Sequence, residues 1–336
     1  MSRGLVKKAV EFDSPERVPF IYWIDSRTFQ KYGEALTDFL RDFPEDMCQL
    51  NITVPKGWQP QQDGGNEWGC KRSAVGSGAS SLFEKQPLQD WDAFQDYSFP
   101  DPYAPGRFEQ AKKRKQVFPD SYLLGTVGNT IFERMQFLHG VANTLEDFYL
   151  HPDMIEELAD RIVEFDIGLI EQWAELGVDG IFFMDDYGFQ DQLAMSPEHF
   201  RQIFKPRYQQ MIQLSHELGL HTFLHTCGNV HEIIPDLIEI GLDVLQGLQP
   251  HAVDIGQVGR RFRGQICFMG GLDAQRTLPF GTSEEVRQMV KRCIQHLGTS
   301  KGGFIGSPST EILPDTPLEN IKAVFCSWRE FGYPEQ

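Results

Sequence analysis

The chain has little cysteine. It has six cysteines in 336 residues, at positions 48, 70, 227, 267, 293 and 326. They are too sparse for a disulfide framework and suit a reduced compartment. Long apolar runs are missing as well: none approaches the ~20 residues needed to span a bilayer. The opening Met1-Ser2-Arg3-Gly4-Leu5-Val6-Lys7-Lys8 lacks the hydrophobic stretch of a secretory signal. Basic residues are outnumbered, 31 Lys and Arg against 48 Asp and Glu, for a net charge of −17. That balance argues against nucleic acid or an anionic membrane as a partner, and the surplus is spread along predicted helix faces as a solvated surface. Repeats, low-complexity tracts and linkers are absent too. The expectation is a cytoplasmic protein folded as one domain over residues 1–336, with 40% hydrophobic residues to fill a large core.

What is present is an alternation of short β-rich runs with helical patterns. Candidate strands are Pro19–Trp23, Met47–Ile52, Tyr122–Val127, Gly180–Asp185, Leu220–His225, Asp243–Leu248, Ile266–Gly270 and Gly302–Gly306. Such alternation calls for parallel strands joined by crossover helices, and about eight of them fit a single α/β (β/α)8 TIM barrel. Helix boundaries are legible. Pro152 opens a helix over 152–176 that stops at Gly177, and Ser196 with Pro197 opens another that ends near Gly219. Thr282 and Glu285 form a capping box for 283–297, and a last helix runs from near Pro317 towards Gly332. Between the second and third strands lies a long insertion, about 53–118, rich in Gly, Gln, Asp, Pro and aromatics. A segment of that length is read either as a functional cover for one end of the barrel or as a folded surface insertion with a small hairpin. Large acidic barrels often associate, so a homodimer is one expected assembly.

In barrels of this type chemistry sits at the C-terminal ends of the strands. The fifth candidate strand ends in Leu224-His225-Thr226-Cys227-Gly228-Asn229. Residues two apart on a strand point to the same side, so His225 and Cys227 offer imidazole and thiol together, as ligands for zinc. Spacing alone supplies only two ligands, and a free cysteine is usually a small hydrophobe. Glu311, just past Ser307-Pro308-Ser309, is the expected third ligand, although a carboxylate there equally suits a helix cap. The fourth strand ends in Asp185-Asp186-Tyr187. One aspartate can point into the mouth as an acceptor or metal ligand while the other caps a turn. Cys293 and Cys326 are expected to face the core from amphipathic helices, and Cys267 to pack inside a strand.

Four segments carry a family resemblance. They are Ser14-Pro15-Glu16-Arg17-Val18-Pro19, the run Gly177-Val178-Asp179-Gly180-Ile181-Phe182-Phe183-Met184-Asp185-Asp186, the His225-Thr226-Cys227-Gly228-Asn229 segment, and Ile312-Leu313-Pro314-Asp315-Thr316-Pro317. As a set, spread over nearly the whole chain, they resemble the uroporphyrinogen decarboxylase superfamily. The resemblance implies a (β/α)8 barrel and one of two chemistries: metal-free decarboxylation of a carboxylated substrate, or zinc-dependent methyl transfer linked to a corrinoid protein. Three departures weaken the first. Asp25-Ser26-Arg27-Thr28-Phe29 replaces an arginine-rich stretch, Asn51 stands where the family holds an aspartate, and Thr310 stands where it holds a histidine. A site for many carboxylates cannot easily lose its arginines. For the methyltransferase branch, His225 and Cys227 match the family's zinc pair, while the later cysteine ligand is missing at Thr310. The resulting expectation is a zinc-dependent methyltransferase that moves a methyl group between a small methylated substrate, such as an O-methyl compound, and a corrinoid carried by a partner protein. Its zinc ligands are His225, Cys227 and Glu311, its catalytic residue is Asp185, and its substrate contacts are Asn129, Asp186, Tyr187, Arg27 and Asn51. Trp58, Trp68 and Phe83 would shape the docking surface.

Overall fold

The computed structural model describes residues 2–60, 64–72 and 83–332. Its centre is a parallel sheet of seven strands: β1 (Met47–Leu50), β2 (Tyr122–Asn129), β3 (Gly180–Met184), β4 (His221–His225), β5 (Val244–Leu248), β6 (Cys267–Gly270) and β7 (Phe304–Ile305). They pair in chain order, each parallel to the next. Parallel neighbours need crossovers, and helices supply them between successive strands. The result is a TIM-barrel-like α/β fold.

The first expected strand, 19–23, is where the structure differs. It is held by isolated bridges, Phe20 to Gly306 and Ile24 to Ile312, and not by a continuous ladder. Pro19 has no N–H to offer. On the other side, carboxylates take the donors a strand would have used: Asp46 Oδ2 accepts from Phe20 N at 3.0 Å and Glu45 Oε1 from Tyr22 N at 3.0 Å. Even so, Asp46 N donates to Phe20 O (3.1 Å) and Gly306 N donates to Pro19 O (2.8 Å), so the segment touches β1 on one side and the end of β7 on the other.

Inward-facing side chains follow the strand period of two. Met47, Tyr122, Leu124, Phe182, Phe223, Val244, Cys267, Met269 and Ile305 form an interior cluster with Ile21, closed below by Val6 and Val10 of the helix Ser2–Val10. Trp23 and Met184 pack on its upper side. A second, larger core lies between the sheet and the surrounding helices.

The expected helices are found with their caps. Pro152–Leu176 ends on Gly177 in the left-handed conformation, and Ser283–Leu297 carries the Thr282–Glu285 capping box. The helix opened by Ser196 is not continuous. Pro197–His199 passes into a wider π turn, Phe200–Phe204, before Lys205–Glu217 resumes the α form. Pro206 lacks the N–H for a bond four residues back and its ring crowds that carbonyl, which the wider turn relieves. The long connection from β1 to β2 holds an antiparallel pair, Lys71–Arg72 with Phe83–Lys85, and the helix Glu109–Val117, while 61–63 and 73–82 lie outside the described residues. Trp68, expected on a docking surface, is instead buried against Phe165 and Phe99. The side chain of Phe83 lies outside what is described. Cys293 and Cys267 are buried as expected, but Cys326 faces outward.

Candidate metal centre

The ends of β3 and β4 are laced together by their backbones and by side chains, among them Thr226, whose Oγ1 accepts from Tyr187 N at 3.0 Å. Asp185 N donates to His225 O (3.0 Å) and Gly188 N to Cys227 O (3.1 Å), and Asn229 N donates to Phe189 O (2.7 Å). Asp186 Oδ1 accepts from Cys227 N at 2.7 Å. This lacing brings three donor types to one place. Cys227 Sγ lies 3.4 Å from His225 Nε2, and His225 Nε2 lies 3.5 Å from Asp186 Oδ1. The ligand atoms of Asp186, His225 and Cys227 all fall within 4.8 Å of one another, and all three residues are half-buried.

His225 is held in one tautomer. The fully buried Gln246, at the matching position on β5, donates from Nε2 to Ser309 O (3.2 Å) and Pro308 O (3.4 Å), so its Oε1 must face His225 Nδ1. An amide oxygen only accepts, so Nδ1 carries a hydrogen, and in the neutral ring Nε2 is the nitrogen whose lone pair faces Cys227 and Asp186. Imidazoles that bind metals are commonly oriented by such an acceptor. Imidazole, sulfur and carboxylate fit zinc, and three of them would leave a fourth position open.

The electrostatics point the same way. Burial pushes the Cys227 thiol well above its ordinary range, and the negative charges of Asp186 and Glu133 push it further. Glu133 feels the same charges, and its backbone N donates to Asp185 (2.7 Å), the neighbour of Asp186. Its carboxyl is pushed up to about 8, first by burial and then by Asp186 and Asp185, while a hydrogen bond from Asn129 Nδ2 (2.7 Å) opposes the rise. Without a cation these acids hold their protons; a bound divalent ion inverts that preference.

The structure sorts the expected site residues into three groups. His225, Cys227 and Asp186 converge, while Asn129 is bonded to Glu133 and not to them. Asp185 and Tyr187 are sealed in. Asp185 accepts from Phe132 N (3.0 Å), Glu133 N (2.7 Å), Tyr187 Oη (2.8 Å) and Tyr208 Oη (2.9 Å). Burial raises its carboxyl to about 6 and these four donors limit the rise. It caps the helix Ile131–His139, and Tyr187 is enclosed by Phe132, Phe200 and Phe204. Arg27, Asn51 and Glu311 are exposed. Arg27 is paired with Asp25 and Asn51 with Gln49. Glu311 does not join the three converging donors, whose carboxylate comes from Asp186. Sequence reading missed Glu133 and Gln246. A signal for Glu133 was available: it is the acid in the first turn of the helix that follows the end of β2.

A TIM-barrel-like sheet that gathers imidazole, thiol and carboxylate at the ends of two neighbouring strands has a donor set that could hold a metal ion. Comparison with known proteins narrows the reading. The uroporphyrinogen decarboxylase (URO-D) model matches residues 74–331, and the chain belongs to that family. It is 26% identical over 219 residues to a methylcobamide:CoM methyltransferase, MtaA, of Methanosarcina barkeri, a match covering 65% of this chain and 61% of that protein. It is 24% identical over 199 residues to a methylated-thiol–coenzyme M methyltransferase of Methanosarcina mazei, covering 58% and 50%. The chain thus spans about three-fifths or less of the length of these two relatives. A solved methyltransferase from Methanosarcina mazei superposes over 98% of both chains with a TM-score of 0.72 at 19% identity, which supports the fold.

Proposed function

We propose that the protein is a zinc-dependent methyltransferase that moves a methyl group between a small methylated substrate, such as an O-methyl compound, and a corrinoid carried by a partner protein. The reading takes the chain as one (β/α)8 unit, with 19–23 as its first strand beside the seven described above. The observation that carries it is the convergence of His225 Nε2, Cys227 Sγ and Asp186 Oδ1 under the control of Gln246. The relatives' names agree with this reading.

In this reading His225, Cys227 and Asp186 hold the metal. When bound, zinc supplies a Lewis acid that polarises the atom carrying the methyl group. The chain's own groups do the rest. Gln246 orients the ring and selects the tautomer whose Nε2 can bind, Cys227 gives up its thiol proton on loading, and Asp186 fixes the Cys227 backbone. Glu133, steadied by Asn129, can hand a proton to the leaving atom or take one from it. The interior cluster under Trp23 and Met184 closes the site from below and excludes water from that side.

The test is metal analysis of purified protein with methyl transfer to free cob(I)alamin followed by its visible spectrum. Chelated protein should lose activity and regain it with zinc, and Cys227→Ala should lose both metal and activity. Full methyl transfer by demonstrably metal-free protein would overturn the zinc requirement, and metal-free protein that transfers no methyl group would return decarboxylation of a carboxylated substrate to first place.

A further inference from the structure

A cavity of about 640 Å³ lies at the opposite end of the barrel from the metal donors. Its walls are the turn before β7, the loop from Pro15 to Val18, Arg263 ahead of β6, and the last turns of the helices Ser283–Leu297 and Leu318–Phe331. That size suits a small organic ligand. One side carries cations. Lys291 and Gln295 stand a turn apart on one face of their helix, and Arg263 reaches that turn by donating from Nη1 to Gln295 O (3.2 Å). The bond steadies the guanidinium and uses one of its nitrogens. Lys291 lies over the Phe331 ring, 5.3 Å from its centre. Among the described residues, neither cation is in an ion pair with a carboxylate. The other charges of the wall are matched, Arg17 with buried Asp46 (2.6 Å) and Glu330 with Arg287 (3.1 Å). The remaining side is apolar: Phe304 is buried, and Val18, Ile294 and Phe331 are half-buried.

We infer that this cavity is a second ligand site and takes an organic anion, a carboxylate or phosphate group on an apolar body. Cations near a helix C-terminus ordinarily serve its carbonyls alone. Arg263 does so with one nitrogen only, and Lys291 stands more than a turn before the helix ends. A fork and a point charge side by side can share the oxygens of one acid group. In a chain of net charge −17, two cations without acids on one wall concentrate positive potential at this place. An inorganic ion would use the cations and leave Ile294 and Phe304 wet, and a neutral apolar compound would do the reverse. A molecule with both parts satisfies the whole wall. The interior cluster, closed below by Val6 and Val10, separates this cavity from the metal donors, so its occupant does not compete with the methyl substrate.

The probe is 8-anilinonaphthalene-1-sulfonate, an acid group on an apolar ring system, titrated into the full chain and followed by its fluorescence. It should bind at one site. Octanoate and octyl phosphate separate the two head groups, and displacement by either supports the site and identifies its acid. Octanol and inorganic phosphate at the same concentration should not displace it. The double variant Arg263→Ala, Lys291→Ala should weaken probe binding at least about tenfold, the size expected for losing charged hydrogen bonds at a half-open site. Arg292→Ala removes an exposed cation of the same helix that does not line the cavity, and should change binding by less than about twofold. Methyl transfer should be the same in all three proteins. Absence of probe binding, displacement by octanol as effective as by octyl phosphate, or equal effects of the double variant and Arg292→Ala would each overturn the inference.

Discussion

Gly188 and Gly228 press backbone to backbone. A Cβ on Gly228 would sit 2.1 Å from Gly188 O and 2.2 Å from its carbonyl carbon, and Gly228 also holds φ at +78°. Neither a side chain nor an ordinary residue's backbone preference is compatible with that contact. The glycines are therefore what lets the Asp186 loop close on the Cys227 loop. Gly228→Ala should cost about 2 kcal/mol or more of stability and weaken zinc binding by more than tenfold, read by urea unfolding and competition with a chromophoric chelator. A variant as stable and as tight as wild type would show that the loops do not need this approach.

Asp185 and Asp186 are neighbours with opposite tasks. Asp185 satisfies four buried donors, so Asp185→Ala strands all of them and should destabilise the fold by about 3–5 kcal/mol. Asp186 is half-exposed, and its loss should cost about 1 kcal/mol while abolishing tight metal binding. Paired unfolding curves and metal stoichiometry for the two variants check the division. Stable, inactive Asp185→Ala protein that still binds metal would instead favour a catalytic role for Asp185.

The physics of the backbone made much of the fold readable in advance. Proline, glycine and capping residues act locally, so Pro152, Gly177 and the Thr282–Glu285 box marked their helices without tertiary information. The strand 19–23 was less legible because Glu45 and Asp46, far away in sequence, capture its donors. At the site, His225 and Cys227 were visible since a strand's period of two puts them side by side. The Asp185-Asp186 pair was legible as a source of one ligand, but not which of the two, nor that it would take the place expected of Glu311, because Asp186 arrives through loop closure between β3 and β4, which no spacing rule encodes. For the same reason Asp185 and Tyr187 looked available when the aromatic cluster of Phe132, Phe200 and Phe204 encloses them.

Glu133 should leave a mark on stability as pH changes in metal-free protein. Its folded carboxyl titrates at about 8 against an ordinary 4.5. The folded state therefore keeps a proton that the unfolded chain releases, so this stabilisation is whole below pH 4.5 and fades as pH rises towards 8. Glu45, raised to about 7, and Asp185, raised to about 6, act in the same direction. Glu133→Gln removes one titration and should gain on wild type as pH rises, with its melting temperature relatively higher at pH 8 than at pH 5 by roughly 1–3 °C. Thermal melts in chelator at both pH values measure this. A difference between the proteins that stays constant with pH would contradict the placement of Glu133.

Gln246 offers the sharpest test of the centre because it touches no substrate and need not touch the metal. Its amide nitrogen is spent on the carbonyls of Ser309 and Pro308, which leaves its oxygen for His225 Nδ1 and, in the neutral ring, puts the lone pair on Nε2. Gln246→Ala frees the ring to take the other tautomer, whose Nε2 carries a hydrogen and cannot bind. Zinc affinity should fall by about 10–100-fold, as for other residues that orient metal ligands. Gln246→Glu, whose buried carboxyl in its protonated form can donate to Ser309 O while its other oxygen accepts from Nδ1, should retain most of the affinity, separating orientation from mere packing. Competition titrations at fixed pH give both numbers. Equal loss in the two variants would mean that Gln246 supports the barrel wall and not the tautomer of His225.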